Sequence, residues 1–264
     1  MKLFLSRAIK TLAVLSLGLY LLAAGYLYSS QRRLMYFPLA AEATTARPIS
    51  FSMSGLRLRG WVVNPGKPHA VLYFGGNGER VESRVDFFAK ALPGHSVYLL
   101  AYRGYSGNPG QPSEAALFSD ALAEFDAIAG KHASVDVIGR SLGSGVASHV
   151  ASLRPVRRLV LVTPFDSAAN VAQSRYPMFP IKLLLKDKYE SWRRAPMIRA
   201  KTLVLVAGHD EVIPRANTDF LVSRFPTPPD VEVFPESGHN TISAEENYAV
   251  RIGGFLGVPD VTGE

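Results

Sequence analysis

At 264 residues, 47% hydrophobic and 19% charged, the chain has apolar material for one sizeable core, so one domain with an appendage is the default. Its net charge of +7 is unevenly placed: no Asp or Glu precedes Glu42, and removing Lys2, Arg7, Lys10, Arg32 and Arg33 from the 29 basic residues leaves 24 against 22 acidic ones. A nearly neutral body argues against nucleic acid as a partner, and the absence of cysteine excludes disulfides, thiolate metal sites, a cysteine nucleophile and a lipid-bearing cysteine.

The first element is apolar. No charge occurs from Thr11 to Ser30, and Leu12 to Tyr28 is almost entirely hydrophobic, close to the roughly 20 residues that cross a bilayer as a helix. Residues 1–33 therefore read as a membrane anchor. The competing reading is a cleaved secretory signal, with Lys2, Arg7 and Lys10 as its basic region and Ala23, Ala24 and Gly25 as a cleavage site, but the apolar run exceeds the usual 7 to 15 residues. Tyr20, Tyr26 and Tyr28 suit a membrane interface. In a bacterium the expected orientation places the N-terminus inside and the domain in the periplasm.

Residues 34–264 read as the folded domain. After a linker around Leu39 to Pro48, Phe51-Ser-Met and Leu56 to Val63 alternate about Ser54-Gly55, which predicts an antiparallel hairpin. Apolar runs at Ala70–Phe74, Val97–Ala101, Val135–Ile138, Leu159–Val162, Leu203–Ala207 and Val231–Phe234 then alternate with helical patterns near Arg80–Leu92, Ser113–Ala129, Ser144–Leu153, Arg215–Arg224 and Ser243–Leu256. The expected fold class is α/β, a mostly parallel sheet with helices on both faces. The alternation lapses at about 166–196, where a segment rich in Pro, Tyr, Phe and Leu is a candidate cap.

The chemistry sits at the ends of these strands. Gly139-Arg-Ser-Leu-Gly143 matches the G-x-S-x-G nucleophile elbow, a weak signal by itself that gains weight because it follows one predicted strand and precedes a small-residue helix. A serine hydroxyl needs a base. Of six histidines, His239 follows the last strand and fits the chain order serine, acid, histidine; His209 is the rival, while His69, His95, His132 and His149 read as solvated or structural residues in turns or on helices. Asp210, in the loop after Ala207, is the leading acid, with Asp166 and Glu211 as alternatives. The oxyanion donors are expected at the N–H of Leu142 and at Gly75-Gly-Asn-Gly78, where Asn77 leads and Gly76 or Gly78 remain open. This chemistry needs no metal or cofactor.

Leu34-Met-Tyr-Phe-Pro38, Tyr102-Arg-Gly-Tyr-Ser-Gly107, Gln111-Pro-Ser-Glu114, the elbow and Ser237-Gly-His239 together resemble the membrane-anchored α/β-hydrolases related to eukaryotic α/β-hydrolase domain proteins, some of which are depalmitoylases. The resemblance implies the α/β-hydrolase fold, a Ser141, Asp210, His239 triad and an anchored esterase or thioesterase acting on a small-molecule or lipid acyl substrate. It gives Arg103 and Asp120 a structural role. Gly75 departs from it, standing where a His-Gly pair is common, which leaves the anchoring of the oxyanion loop unexplained. A serine peptidase of the same fold and a non-catalytic anchored scaffold are the alternatives.

Overall fold

The computed structural model describes residues 2–53 and 55–257. Its first element, α1 (Lys2–Met35), is a 34-residue helix, about 50 Å long at 1.5 Å per residue. Residues Ser6–Met35 are long and apolar enough to cross a membrane, and the helix leaves Phe4, Leu12, Val14, Leu19 and Leu22 more than half exposed.

The remaining chain builds one eight-stranded sheet in the order β1-β2-β4-β3-β5-β6-β7-β8. The strands are β1 (Arg47–Met53), β2 (Leu56–Val63), β3 (His69–Phe74), β4 (His95–Leu100), β5 (Ser134–Arg140), β6 (Arg158–Val162), β7 (Lys201–Ala207) and β8 (Asp230–Phe234). The expected hairpin is present, with Met53 opposite Leu56, and β2 is antiparallel to both neighbours. All other pairings are parallel.

Continuous apolar strands bury both faces. Leu72, Phe74, Val137, Leu161 and Val204 pack beneath α3 (Glu114–Ala129) and α4 (Leu142–Leu153). Val71, Tyr73, Ile138, Val160 and Leu205 pack on the other side, with α2 (Val85–Ala91) and α9 (Glu246–Gly257) supplying Phe88, Tyr248 and Ile252. Ser113 starts α3 as an N-cap, its side chain accepting the Ala116 N–H. Two sequence expectations shift. His69 and His95 open strands instead of lying in turns, and α4 starts at Leu142, two residues earlier than its pattern suggests.

Between β6 and β7 the chain forms α5 (Ala168–Arg175), α6 (Ile181–Leu184) and α7 (Ser191–Arg194) with no intervening strand. This segment lies against the C-terminal half of α1. Arg32 pairs with Asp187 at 2.9 Å, and the Tyr36 hydroxyl reaches Asp187 at 3.1 Å and Tyr189 at 2.9 Å. Burial, with Tyr189 and Asp187 beside it, pushes the Tyr36 phenol far above its ordinary value, so it stays a neutral donor. Farther along, the Tyr20 ring stacks on Phe179 at 5.2 Å. After α7, α8 (Arg215–Val222) follows β7.

Candidate active site

Ser141 stands between β5 and α4 with φ 49° and ψ −116°, a left-handed conformation that costs of order 1–3 kcal/mol and persists where surrounding structure enforces it. The enforcement is visible. Its N–H donates to the Val162 carbonyl at 2.9 Å, and its own carbonyl accepts the Ser144 N–H and hydroxyl at 2.8 and 2.6 Å. Gly143 is required by close approach, since a Cβ there would lie 2.0 Å from the Phe74 carbonyl oxygen.

Three loops converge on that hydroxyl. His239, 4% exposed, places Nε2 2.9 Å from Ser141 Oγ, while Nδ1 lies 2.8 and 3.0 Å from the two carboxylate oxygens of Asp210. A carboxylate only accepts, so Nδ1 carries the hydrogen and Nε2 is left to accept from the serine. Asp210 is aimed by the backbone of its own loop, accepting the Val212 and Ile213 N–H groups at 2.9 and 2.7 Å.

The competing side chains go elsewhere. Asp166 is buried and binds the Ser167 N–H at 2.6 Å and the Asn217 amide at 2.7 Å, with Asn170 on its second oxygen. It organises the start of α5. Glu211 accepts the His239 backbone N–H at 3.1 Å, and hydrogen bonds from its own and the His239 backbone hold its carboxyl below the usual range. It therefore fixes the histidine loop and leaves the imidazole to Asp210. His209 is exposed, with its N–H on the Ser237 carbonyl. Of the other histidines, His69 bonds Ser134, His132 bonds Tyr98, His95 lies beside Asp136, and His149 stacks on Phe118 at 4.0 Å.

Beside the elbow runs the loop after β3: a Cβ on Gly143 would lie 2.7 Å from the Gly75 carbonyl oxygen. The Gly76 N–H is taken by Glu79 at 2.6 Å, whereas among the described residues the N–H groups of Leu142, Asn77 and Gly78 have no intramolecular acceptor. Glu79 also accepts from Tyr73 at 2.7 Å, Arg84 at 2.6 Å and Arg140 at 3.2 Å. Burial opposes its ionisation, but Arg84 and Arg140 outweigh that and hold the carboxyl below its ordinary value. Arg140, inside the elbow motif, continues to the His239 carbonyl at 3.3 Å and Asn240 at 3.2 Å. One buried carboxylate thus ties the oxyanion-side loop, the elbow and the histidine loop together.

That brace explains the departure at Gly75. A Cβ there would lie 2.6 Å from Val81, so a larger residue would have to displace its neighbour, and the Gly75 carbonyl is held by the Tyr102 hydroxyl at 2.9 Å. Sequence reasoning named neither Glu79 nor Arg84, and it passed over Arg140 as a variable position; buried charges 61 residues apart leave no local pattern. Asn77 has a second task. Its side chain brackets the end of α1, donating to the Met35 carbonyl at 2.6 Å and accepting the Phe37 N–H at 2.9 Å. Arg103 and Asp120 form the expected structural pair at 2.5 and 2.7 Å. Among the described residues no group of three or more His, Cys, Asp or Glu could hold a metal ion.

No protein-family model matches the chain. It is 36% identical over 254 residues to the uncharacterized protein Rv2307c of Mycobacterium tuberculosis, covering 89% of both chains. It is 23% identical to the α/β hydrolase domain-containing protein WAV2 of Arabidopsis thaliana, over 78% of this chain and 79% of that one. Among solved structures, the Pyrococcus furiosus esterase Pf2001 superposes with a TM-score of 0.68 at 17% identity, covering 84% of this chain and 98% of the esterase, a likeness of fold. With an eight-stranded sheet of this order and a serine on a strained turn after β5, the chain has the α/β-hydrolase fold and is similar in sequence to a protein named for it.

Proposed function

We propose that the protein is a membrane-anchored serine hydrolase that cleaves acyl ester or thioester bonds through an acyl-enzyme. Residues 1–33 are the anchor, 34–264 the hydrolase domain and about 166–196 its cap; residues 258–264 of that domain lie outside the described ones. The observation that carries this reading is the unbroken hydrogen-bond chain from Ser141 Oγ through His239 to Asp210, at a backbone turn that thrusts the serine out of the sheet.

Ser141 Oγ gives its proton to His239 Nε2 as it attacks the acyl carbonyl carbon, and Asp210 stabilises the imidazolium that results. The negative charge moves to the carbonyl oxygen, where the N–H groups of Leu142 and Asn77 are free to receive it. Collapse of the tetrahedral species expels the alcohol or thiol, which takes the proton from His239. Water then enters, loses a proton to the same nitrogen, attacks the acyl group and restores Ser141 as the acid leaves. The Glu79 brace keeps the donor loop in register with the elbow, so no loop has to reorganise as charge develops.

Membrane attachment rests on α1; Lys2, Arg7 and Lys10 before the span and Arg32, Arg33 and Arg47 after it specify the orientation only weakly, and we place the N-terminus inside. The test is labelling by a fluorophosphonate, comparing wild type with Ser141→Ala and His239→Ala. Covalent labelling of wild type alone is expected. Folded wild-type protein that stays unlabelled would remove the serine-hydrolase reading and favour an anchored scaffold.

A further inference from the structure

The insert after β6 runs beside α1. Tyr20 lies ten residues beyond Lys10, about 15 Å of helix, so contacts from Tyr20 to about residue 30 fall in the half of a roughly 30 Å hydrocarbon layer nearest the domain, and Gln31 sits at its boundary. Met178 and Leu183 point outward there, 70% and 82% exposed. In water such side chains would be a liability. In a leaflet they would be at home.

The backbone of this segment gives an independent reason. Non-helical chain survives at membrane depth only where its polar groups are satisfied within the protein. The Tyr20 hydroxyl donates to the Met178 carbonyl at 2.9 Å, and the Gln173 amide donates to the Phe179 carbonyl at 2.9 Å. Gln31 serves both sides, accepting the Lys186 N–H at 2.6 Å and donating to the Leu184 carbonyl at 3.4 Å. Three long polar side chains, two of them on α1, are thus spent on the backbone of a short surface turn, which water would otherwise hydrate without help.

Between α1 and the insert runs an apolar groove of about 440 Å³, lined by Leu27, Leu34, Met35, Ala172, Ile181 and Leu185. A volume of that order is typical of small-ligand sites. A smaller cavity of about 40 Å³ continues the same seam and shares Leu27, Ile181 and Leu185. One end of the groove lies along the membrane helix. The other reaches Met35, whose carbonyl is held by the Asn77 side chain at 2.6 Å, in the loop that runs beside the elbow of Ser141.

We infer that the insert dips into the leaflet beside α1, and that the groove between them receives the acyl chain of a bilayer-resident lipid ester and leads it to Ser141. This rests on the hydrolase reading above and adds to it the source of the substrate and its route. The anchor then forms a wall of the binding site as well as a tether.

The test uses the full-length protein in phosphatidylcholine vesicles and a hexadecyl fluorophosphonate with a diazirine near its chain end. After reaction at Ser141 and illumination, crosslinks are expected at residues 24–35 and 168–185. Crosslinks confined to other parts of a protein labelled at Ser141 would overturn the groove while leaving the hydrolase intact, whereas failure to label Ser141 at all would take both readings down. Ala172→Phe, which fills the groove, should lower the ratio of kcat/KM for p-nitrophenyl palmitate over p-nitrophenyl butyrate by about tenfold or more. A ratio within about twofold of wild type in a folded variant would also overturn the groove. Should that variant not fold, crosslinking of the wild type decides alone.

Discussion

The loops carrying Ser141, Asp210 and His239 share one edge of the sheet with the loop carrying Asn77, yet the two groups are held differently. The first three follow β5, β7 and β8, and backbone bonds tie the Ser141 N–H to Val162 at the end of β6 and the His209 N–H to Ser237 in the histidine loop. The Asn77 loop hangs instead on one buried carboxylate, Glu79, and on the chain arriving from α1. Sheet geometry therefore positions Ser141, His239 and Asp210, while charge and the end of α1 position the Asn77 loop. Damage to the second group should slow turnover and leave the serine reactive.

The largest effect tests the first group. Ser141→Ala should lower turnover of a p-nitrophenyl ester by about 10⁴-fold or more with the melting temperature almost unchanged. Asp210→Asn should cost about 10⁴-fold in kcat, and Asp166→Asn less than about tenfold while lowering the melting temperature, because its partners are Ser167, Asn170 and Asn217. If kinetics ranked the two aspartates the other way round, the acid would have to be reassigned.

Glu79→Gln sharpens the contrast. It leaves Arg84 and Arg140 without their shared counter-charge, and should cost about 3 kcal/mol in urea denaturation and about tenfold or more in kcat. Its pH signature has a fixed sign. Because the folded carboxyl titrates below its ordinary value of 4.5, its contribution is fully present above pH 4.5 and lost as pH falls through the folded value. Acid unfolding curves of wild type and Glu79→Gln should therefore converge below that point.

Much of this architecture can be read in the residues themselves, for physical reasons that also mark the limit. Strands buried on both faces show as unbroken apolar runs, and the glycine that lets α4 approach Phe74 is part of a local motif around Ser141. Asp210 could be preferred over Asp166 by chain order, but only the fold shows why: the loop after β6 turns away to start α5, and its carboxylate is consumed there. The Glu79 brace and the Asn77 bracket link residues 61 and 42 positions apart, and such pairings have no periodicity to betray them.

The smallest expected effect lies far from either group of loops. Burial, reinforced by Arg194, pushes His149 down to about 4 where it stacks on Phe118. A folded value below the ordinary 6.5 means stability present above pH 6.5 and lost as pH falls toward 4. Melting temperatures of His149→Gln should depend less steeply on pH across that window than those of wild type, and equal slopes would show that the stacked ring is not the group being charged.

Tyr36 and Asp187 are 151 positions apart. At a synthesis rate of about 5–20 residues per second, the tyrosine waits roughly 8–30 s for its partner to be made. Throughout that interval α1 can enter a bilayer, but its flank at Tyr20, Gln31 and Arg32 has nothing to grip. The seam between helix and insert is therefore a late closure in the life of the nascent chain, made only after six of the eight strands, β1 to β6, have been synthesised.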